Sequence, residues 1–229
     1  MPFSVKKDWS KWVLCATGSG WDLGPTQTEK IIFALNDYVK IEKYGVKPDI
    51  LAMMDILDEK PQVVADDNLG EMVKRINQMK VPFVGPYKYE EIPLSEEFPL
   101  KECTKRFGYP YFSNTIAYMI AYALLKGAKE IELYGVNQAG SHEYSEERPS
   151  VEYWLGIAIG MGVKITINGK NSQLLKYKGN VSQTGMLYGY RQSYEEVLNT
   201  EKKFGSPIIR KLLKPSENVK RVIEKRKIN

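Results

Sequence analysis

A chain of 229 residues, 43% hydrophobic and 27% charged, carries enough apolar side chain for one well-buried α/β domain. No apolar run reaches the roughly 18 residues of a membrane span, and the opening MPFSVKKDWSKW lacks the apolar core of a signal peptide, so a cytoplasmic protein is expected. A single histidine and two distant cysteines, Cys15 and Cys103, speak against a structural zinc site and for free thiols in a reducing compartment.

The net charge of +5 is unevenly spread, because Glu201–Asn229 holds ten Lys/Arg against three Glu. The basic character therefore belongs to the tail, and the rest of the chain is slightly acidic.

In chain order, Trp12–Ala16 (WVLCA) reads as a buried strand running into the glycine turn TGSGWDLG. Thr28–Tyr44 has apolar residues near helical spacing and is expected to be a helix, against its β-branched content. Residues 50–55 (ILAMMD) form the second expected strand, ending on Asp55. Asn68–Met79 reads as an amphipathic helix capped by Asp66, Asp67 or Asn68. Val81–Val84 is a short strand whose Pro82 marks an edge position or the strand's first residues. Residues 86–111, with four prolines and no period, are expected to be a long excursion over the sheet, in the manner of a lid.

The strongest helix is Thr115–Lys126, capped by Ser113 or Asn114 and ended by Gly127. A strand at 130–136, a polar loop at Asn137–Arg148, a helix at Val151–Met161 and a strand at Val163–Ile167 follow. Residues 168–192 are polar and glycine-containing; a solvated loop is the default reading, and the alternative is a closing flap in which Lys176 and Lys178 meet phosphate. Helices are expected at Ser193–Phe204 and Ile208–Lys227. The alternation implies a mainly parallel sheet with helices on both faces, in a domain spanning 1–192, with a basic helical tail at 193–229.

Ligands in such sheets sit at the carboxyl ends of the strands. Thr17-Gly18-Ser19-Gly20 lets the backbone turn sharply toward a phosphate, or is a plain βα turn. The spacing Gly18, Gly20, Gly24 is one residue too long for the dinucleotide fingerprint, and no Walker lysine is present. Asp55 can bind a ribose hydroxyl or metal, act as a base, or cap a turn. Ser113 and Asn114 exceed what one helix cap needs and point to a ligand as well. In the 137–148 loop, Asn137 and Gln138 are candidate nucleotide contacts. His142 beside Glu143 offers a general base with an orienting carboxylate, or a surface pair. Arg148 offers a guanidinium fork for phosphate, or an ion pair with Glu152 one turn away.

The segments GSGWDLG, FSNTIAYMIAYALLKGAKEIELYGVN, EYSEERPSVEYWLGIAIGMGVKI and the late SQLLKY and LYGY resemble a group of small Rossmann-like proteins often encoded by tailed bacteriophages. That group is distantly similar to 6-hydroxymethylpterin diphosphokinase-like proteins, to motility accessory factors that glycosylate flagellin, and to bacterial sialyltransferases. The resemblance covers roughly residues 11–190 and is densest over 107–167. It implies a Rossmann-like three-layer sandwich and a nucleotide-dependent transferase moving a sugar or diphosphate group, with a nucleotide or nucleotide-sugar donor and magnesium as a candidate ion. One departure stands out: the strand LYGV runs into Asn137, where such an enzyme is expected to carry an acid. The alternatives are a nucleotide sensor without turnover and an assembly protein holding nucleic acid or a protein partner through its tail. A homo-oligomer is compatible with any of these.

Overall fold

The computed structural model describes residues 6–25, 28–35, 47–55, 69–140, 142–169, 171–177 and 180–181. The chain divides into two units, 1–174 and 175–229. In the second unit the described residues form a two-stranded antiparallel pair, Lys176–Tyr177 with Asn180–Val181. The expected boundary at residue 192 and the two tail helices lie outside the described residues.

The first unit is built on seven parallel strands: β1 (Asp8–Cys15), β2 (Lys30–Leu35), β3 (Ile50–Ala52), β4 (Phe83–Gly85), β5 (Ser95–Glu97), β6 (Glu130–Tyr134) and β7 (Lys164–Ile167). Their order is β5-β4-β3-β2-β1-β6-β7, and every neighbouring pair is parallel. The chain thus lays strands outward from β1 to β5, then crosses back to add β6 and β7 on β1's other side. The strand order reverses between β1 and β6, and in an open α/β sheet that reversal opens a crevice beyond the carboxyl ends of the two strands.

Both faces of the central strands are covered, which is why Trp12, Val13, Leu14 and Cys15 are buried in succession. Alternate residues serve opposite layers. Trp12 and Phe33 face α3 (Thr115–Leu125), whose Tyr122 ring lies 6.2 Å and 5.4 Å from theirs. On the other face, Val13, Cys15, Ile32, Ala34, Leu51 and Met53 cluster with Ile76 of α1 (Leu69–Met79). The layers are therefore helix, sheet, helix, as expected. Beside α3 packs α4 (His142–Gly160), with the fully buried Trp154 stacked on Phe112 at 4.8 Å and donating its indole N–H to the Tyr111 carbonyl at 2.8 Å. Among the described residues no helix is long and apolar enough to cross a membrane.

Several expected elements differ. The start of the Thr28–Tyr44 segment is strand β2, not helix: Ile31, Ile32, Phe33, Ala34 and Leu35 are all buried, and β-branched residues suit a strand covered on both faces. Residues 36–46 lie outside the description. The 86–111 excursion is not structureless. It supplies edge strand β5 and helix α2 (Leu100–Phe107), and the Tyr122 hydroxyl donates to Glu96, tying α3 to that edge. Pro82 precedes β4, which is one strand in from the edge, and its carbonyl accepts from Leu51 N–H. The polar loop after β6 is also shorter than expected, because α4 begins at His142 and runs through Pro149. A proline forfeits one ladder bond, here the one to the Ser145 carbonyl; independently of that loss, the Glu147 carbonyl accepts from the Ser150 hydroxyl at 2.9 Å and the Ser113 hydroxyl at 3.2 Å.

Candidate functional site

The crevice at the sheet's reversal point is bounded by the exits of β1 and β6, and these two exits interlock. The Gly18 N–H donates to the Gly135 carbonyl at 2.9 Å. A Cβ on Gly18 would lie 2.4 Å from that oxygen and 2.8 Å from the Asn137 carboxamide. Gly135 has φ 67, and a Cβ there would lie 2.3 Å from the Ala16 carbonyl oxygen. Both glycines are required by close backbone approach.

Asn137 then locks the turn. With both ends of its carboxamide satisfied, its oxygen accepts from Ser19 N–H at 2.7 Å and Ser19 Oγ–H at 2.8 Å, while its nitrogen donates to the Ser19 carbonyl at 3.1 Å. The side chain thus pairs with Ser19 as a neighbouring strand would. This accounts for the carboxamide where an acid was expected: aspartate offers no donor and would set its charge against the Ser19 carbonyl. Asn171 donates to Ser19 Oγ at 3.0 Å, and Gln173 N–H donates to the Asn137 carbonyl at 2.7 Å, so the segment after β7 forms a further wall.

The pairing alters what the glycine turn offers a phosphate. The N–H groups of Gly18 and Ser19 are both consumed inside the protein. Thr17 and Ser19 are exposed at the rim, and Gly20 has φ 89 and leads into a 3-10 turn at Trp21–Leu23.

The second half of the crevice is centred on Glu147, a residue the sequence reading passed over. Asn114 is the α3 cap, its oxygen accepting from Ala117 N–H at 2.9 Å, and its nitrogen reaches Glu147 Oε2 at 3.3 Å. The Gln138 side chain also hydrogen-bonds to the Glu147 carboxylate. The hydroxyls of Ser113 and Ser150 meet at 2.7 Å above the Glu147 carbonyl. Glu147 is half-buried. Burial pushes its carboxyl above the ordinary range; the charges of Glu143 and Asp55 push the same way, against the hydrogen bonds from Asn114 and Gln138. A half-buried carboxylate raised in this way can take a proton from a hydroxyl near neutral pH better than an ordinary glutamate.

The structure thus brings together Gly18, Ser19 and Asn137 on one side, and Ser113, Asn114, Gln138 and Glu147 on the other, with Glu143 and Asp55 in electrostatic reach. Asn137 and Gln138, adjacent in sequence, serve the two sides separately. His142 is placed differently from the sequence reading: it is 88% exposed, and its Nδ1 lies 3.3 Å from Glu146, not Glu143. The periodicity of α4 explains this, since Glu143 and Glu147 lie one turn apart on one face and His142 and Glu146 on the next. The guanidinium Nε of Arg148 lies 3.8 Å from Glu152, the i,i+4 pair foreseen as its alternative role. Among the described residues no group of three or more His, Cys, Asp or Glu side chains converges as metal ligands.

No protein-family model matches the chain, and no curated protein matches it in sequence. Solved structures similar to it include the sialyltransferase CstII from Campylobacter jejuni in complex with cytidine-5'-monophosphate, 13% identical, covering 85% of this chain and 98% of that one, with a TM-score of 0.49. The same enzyme with CMP-3FNeuAc is 14% identical, covering 84% and 99%, with a TM-score of 0.48. A tyrosine-to-phenylalanine variant of Cst-II with CMP is 15% identical, covering 86% and 100%, with a TM-score of 0.49.

Proposed function

We propose that the chain is a nucleotide-dependent transferase that moves a glycosyl group from a nucleotide-linked donor to an acceptor hydroxyl, with Glu147 as general base. The observation that carries this is the Glu147 carboxylate, raised above its ordinary range and held by Asn114 and Gln138 beside the reversal point of a doubly wound sheet. That crevice is where such sheets take nucleotides. The lining supports the same ligand class: the exposed Ser19 and Asn171 offer hydroxyl and amide groups suited to a ribose, a base edge and a sugar, on walls held by Asn114 and Asn137.

In the reaction, the acceptor oxygen forms a bond to the anomeric carbon of the donor sugar. The bond from that carbon to the phosphate oxygen breaks, and the electron pair leaves on the nucleotide. The acceptor proton passes to Glu147, which is ionised beforehand. Gly18, Ser19 and Asn137 shape the wall that receives the donor, and Arg148 and Gly20 are assigned to its phosphate. Asp55 is assigned to the ribose or to the tuning of Glu147, and His142 and Glu143 to the outer rim, where Glu143 acts through its charge. A site that only held a nucleotide would gain nothing from a half-buried carboxylate raised above its ordinary range, which favours turnover over sensing.

The test follows nucleotide release from a panel of nucleotide sugars in the presence of mixed hydroxyl acceptors. Wild type is expected to release nucleotide, and Glu147→Gln to bind the same donor while losing roughly a hundredfold or more in rate. Equal rates in the two proteins would remove Glu147 from the chemistry.

A further inference from the structure

We infer that Asn114 is a positioning residue for Glu147: the cap of α3 fixes its carboxamide as a donor, and that donor holds the carboxylate in one orientation. The inference rests on Glu147 being the base, and it places Asn114 outside the groups that grip the nucleotide.

Three consecutive side chains at the start of α3 each serve a different element. The Ser113 hydroxyl reaches the Glu147 carbonyl of α4 at 3.2 Å and the Ser150 hydroxyl at 2.7 Å. The Thr115 hydroxyl accepts from the N–H of Met54, just beyond β3, at 3.4 Å. Between them, Asn114 accepts from the Ala117 N–H at 2.9 Å and donates to Glu147 Oε2 at 3.3 Å. The start of α3 is thus tied to α4 and to the exit of β3 on either side of Asn114, which gives its side chain a fixed root.

Both contacts of Asn114 demand the same orientation. Turned over, the carboxamide would set its nitrogen against the Ala117 N–H and its oxygen against the carboxylate, donor to donor and acceptor to acceptor. A cap alone needs only an acceptor, and serine, threonine and aspartate supply one as asparagine does. Aspartate carries no donor, and a serine or threonine hydroxyl stands one atom nearer the backbone. Of these four, asparagine is the one that caps α3 and still reaches Glu147 with an N–H. The first turn of α3 adds partial positive charge at the same place. Burial, and after it the charges of Glu143 on the same helix and Asp55 beyond β3, favour the protonated form of Glu147. The Asn114 donor opposes them and keeps the carboxylate available to take a proton.

The experiment uses the full chain without ligand and follows the Glu147 carboxyl carbon by NMR from acid to neutral pH. Asn114→Ser and Asn114→Asp both keep a cap for α3. The Glu147 midpoint is expected to move to higher pH in Asn114→Ser, where a donor is lost. It should move further in Asn114→Asp, by about one pH unit or more, because a like charge takes the donor's place. Should aspartate not fold beside Glu147, Asn114→Ser decides alone. A residue that only capped the helix would leave the midpoint of Asn114→Ser at its wild-type value, and that result would overturn the inference. Calorimetric titration with nucleoside monophosphates gives the second readout: any that binds wild type is expected to bind Asn114→Ser within about twofold. A loss of about tenfold or more would make Asn114 a nucleotide contact and overturn the inference equally. If wild type binds no nucleotide, the transferase reading fails, while the NMR midpoints still decide the role of Asn114.

Discussion

Replacing Gly18 with alanine tests the interlock of the two strand exits. The new Cβ would sit 2.4 Å from the Gly135 carbonyl oxygen, against an ordinary contact beginning near 3.4 Å, an overlap of about 1 Å. The obstacle is backbone, and Gly135 is itself confined at φ 67 against the Ala16 carbonyl, so neither side yields cheaply. Relief requires the turn to move away. That breaks the 2.9 Å bond from Gly18 N–H and strains the bonds at 2.7, 2.8 and 3.1 Å between Asn137 and Ser19. At about 1 kcal/mol for each hydrogen bond lost, Gly18→Ala should destabilise the protein by about 3 kcal/mol. Urea denaturation followed by far-UV circular dichroism measures this directly. A variant within about 0.5 kcal/mol of wild type would refute the interlock, since surface substitutions in free turns cost no more than that.

Other consequences are as direct. Asn137→Asp puts a carboxylate against the Ser19 carbonyl and removes a donor, so it should cost about 2 kcal/mol at neutral pH and less in acid, where a protonated aspartate can donate again; denaturation midpoints at the two pH values compare them. Glu147→Gln should raise the melting temperature by about 2 °C at neutral pH. The folded carboxyl lies above its unfolded value, so wild type loses stability as pH rises between the two. The advantage of glutamine should therefore vanish below the ordinary glutamate range, and scanning calorimetry across that range checks it. Lys30 lies 2.8 Å from Glu130 and 2.6 Å from Glu132. Burial lowers the lysine's pKa, but the two carboxylates outweigh it and raise it to about 12. Lys30→Met should destabilise by about 2 kcal/mol at neutral pH, because among the described residues Glu132 keeps only the Tyr134 hydroxyl at 3.2 Å and Glu130 only Lys164 at 3.8 Å. The loss should shrink in acid as they protonate, and a pH-independent loss would show that the lysine acts by packing alone.

Much of the architecture could be read from the chain because it rests on local signals. WVLCA, the Asn114 cap, Gly127 and the KIT strand each declare themselves by burial pattern or cap chemistry. The exceptions have physical causes. KIIFAL is short and uniformly apolar, so its periodicity fits a helix or a doubly covered strand, and only the neighbouring strands decide. SEE in β5 has no apolar alternation because it is an edge strand held by Glu96 and Ser95 contacts. Of the site, the glycine turn and the 113–114 and 137–138 pairs were legible as polar residues at strand exits or helix starts. Glu147 was not, because Pro149 suggested that the helix began later; once α4 starts at His142, Glu143 and Glu147 share a face and His142 leaves it. The use of Asn137 as a carboxamide lock depends on the 118-residue closure between Ser19 and Asn137, which no local pattern encodes.

The most direct test of the central claim is calorimetric titration of the full chain with nucleoside monophosphates, nucleoside diphosphates and nucleotide sugars at up to millimolar concentration, in wild type and in Asn137→Ala. At least one nucleotide should bind wild type, and bind Asn137→Ala at least about tenfold more weakly, a difference of about 1.4 kcal/mol. Absence of binding by every member of the panel, or equal affinity in both proteins, would contradict a nucleotide site at the junction of β1 and β6.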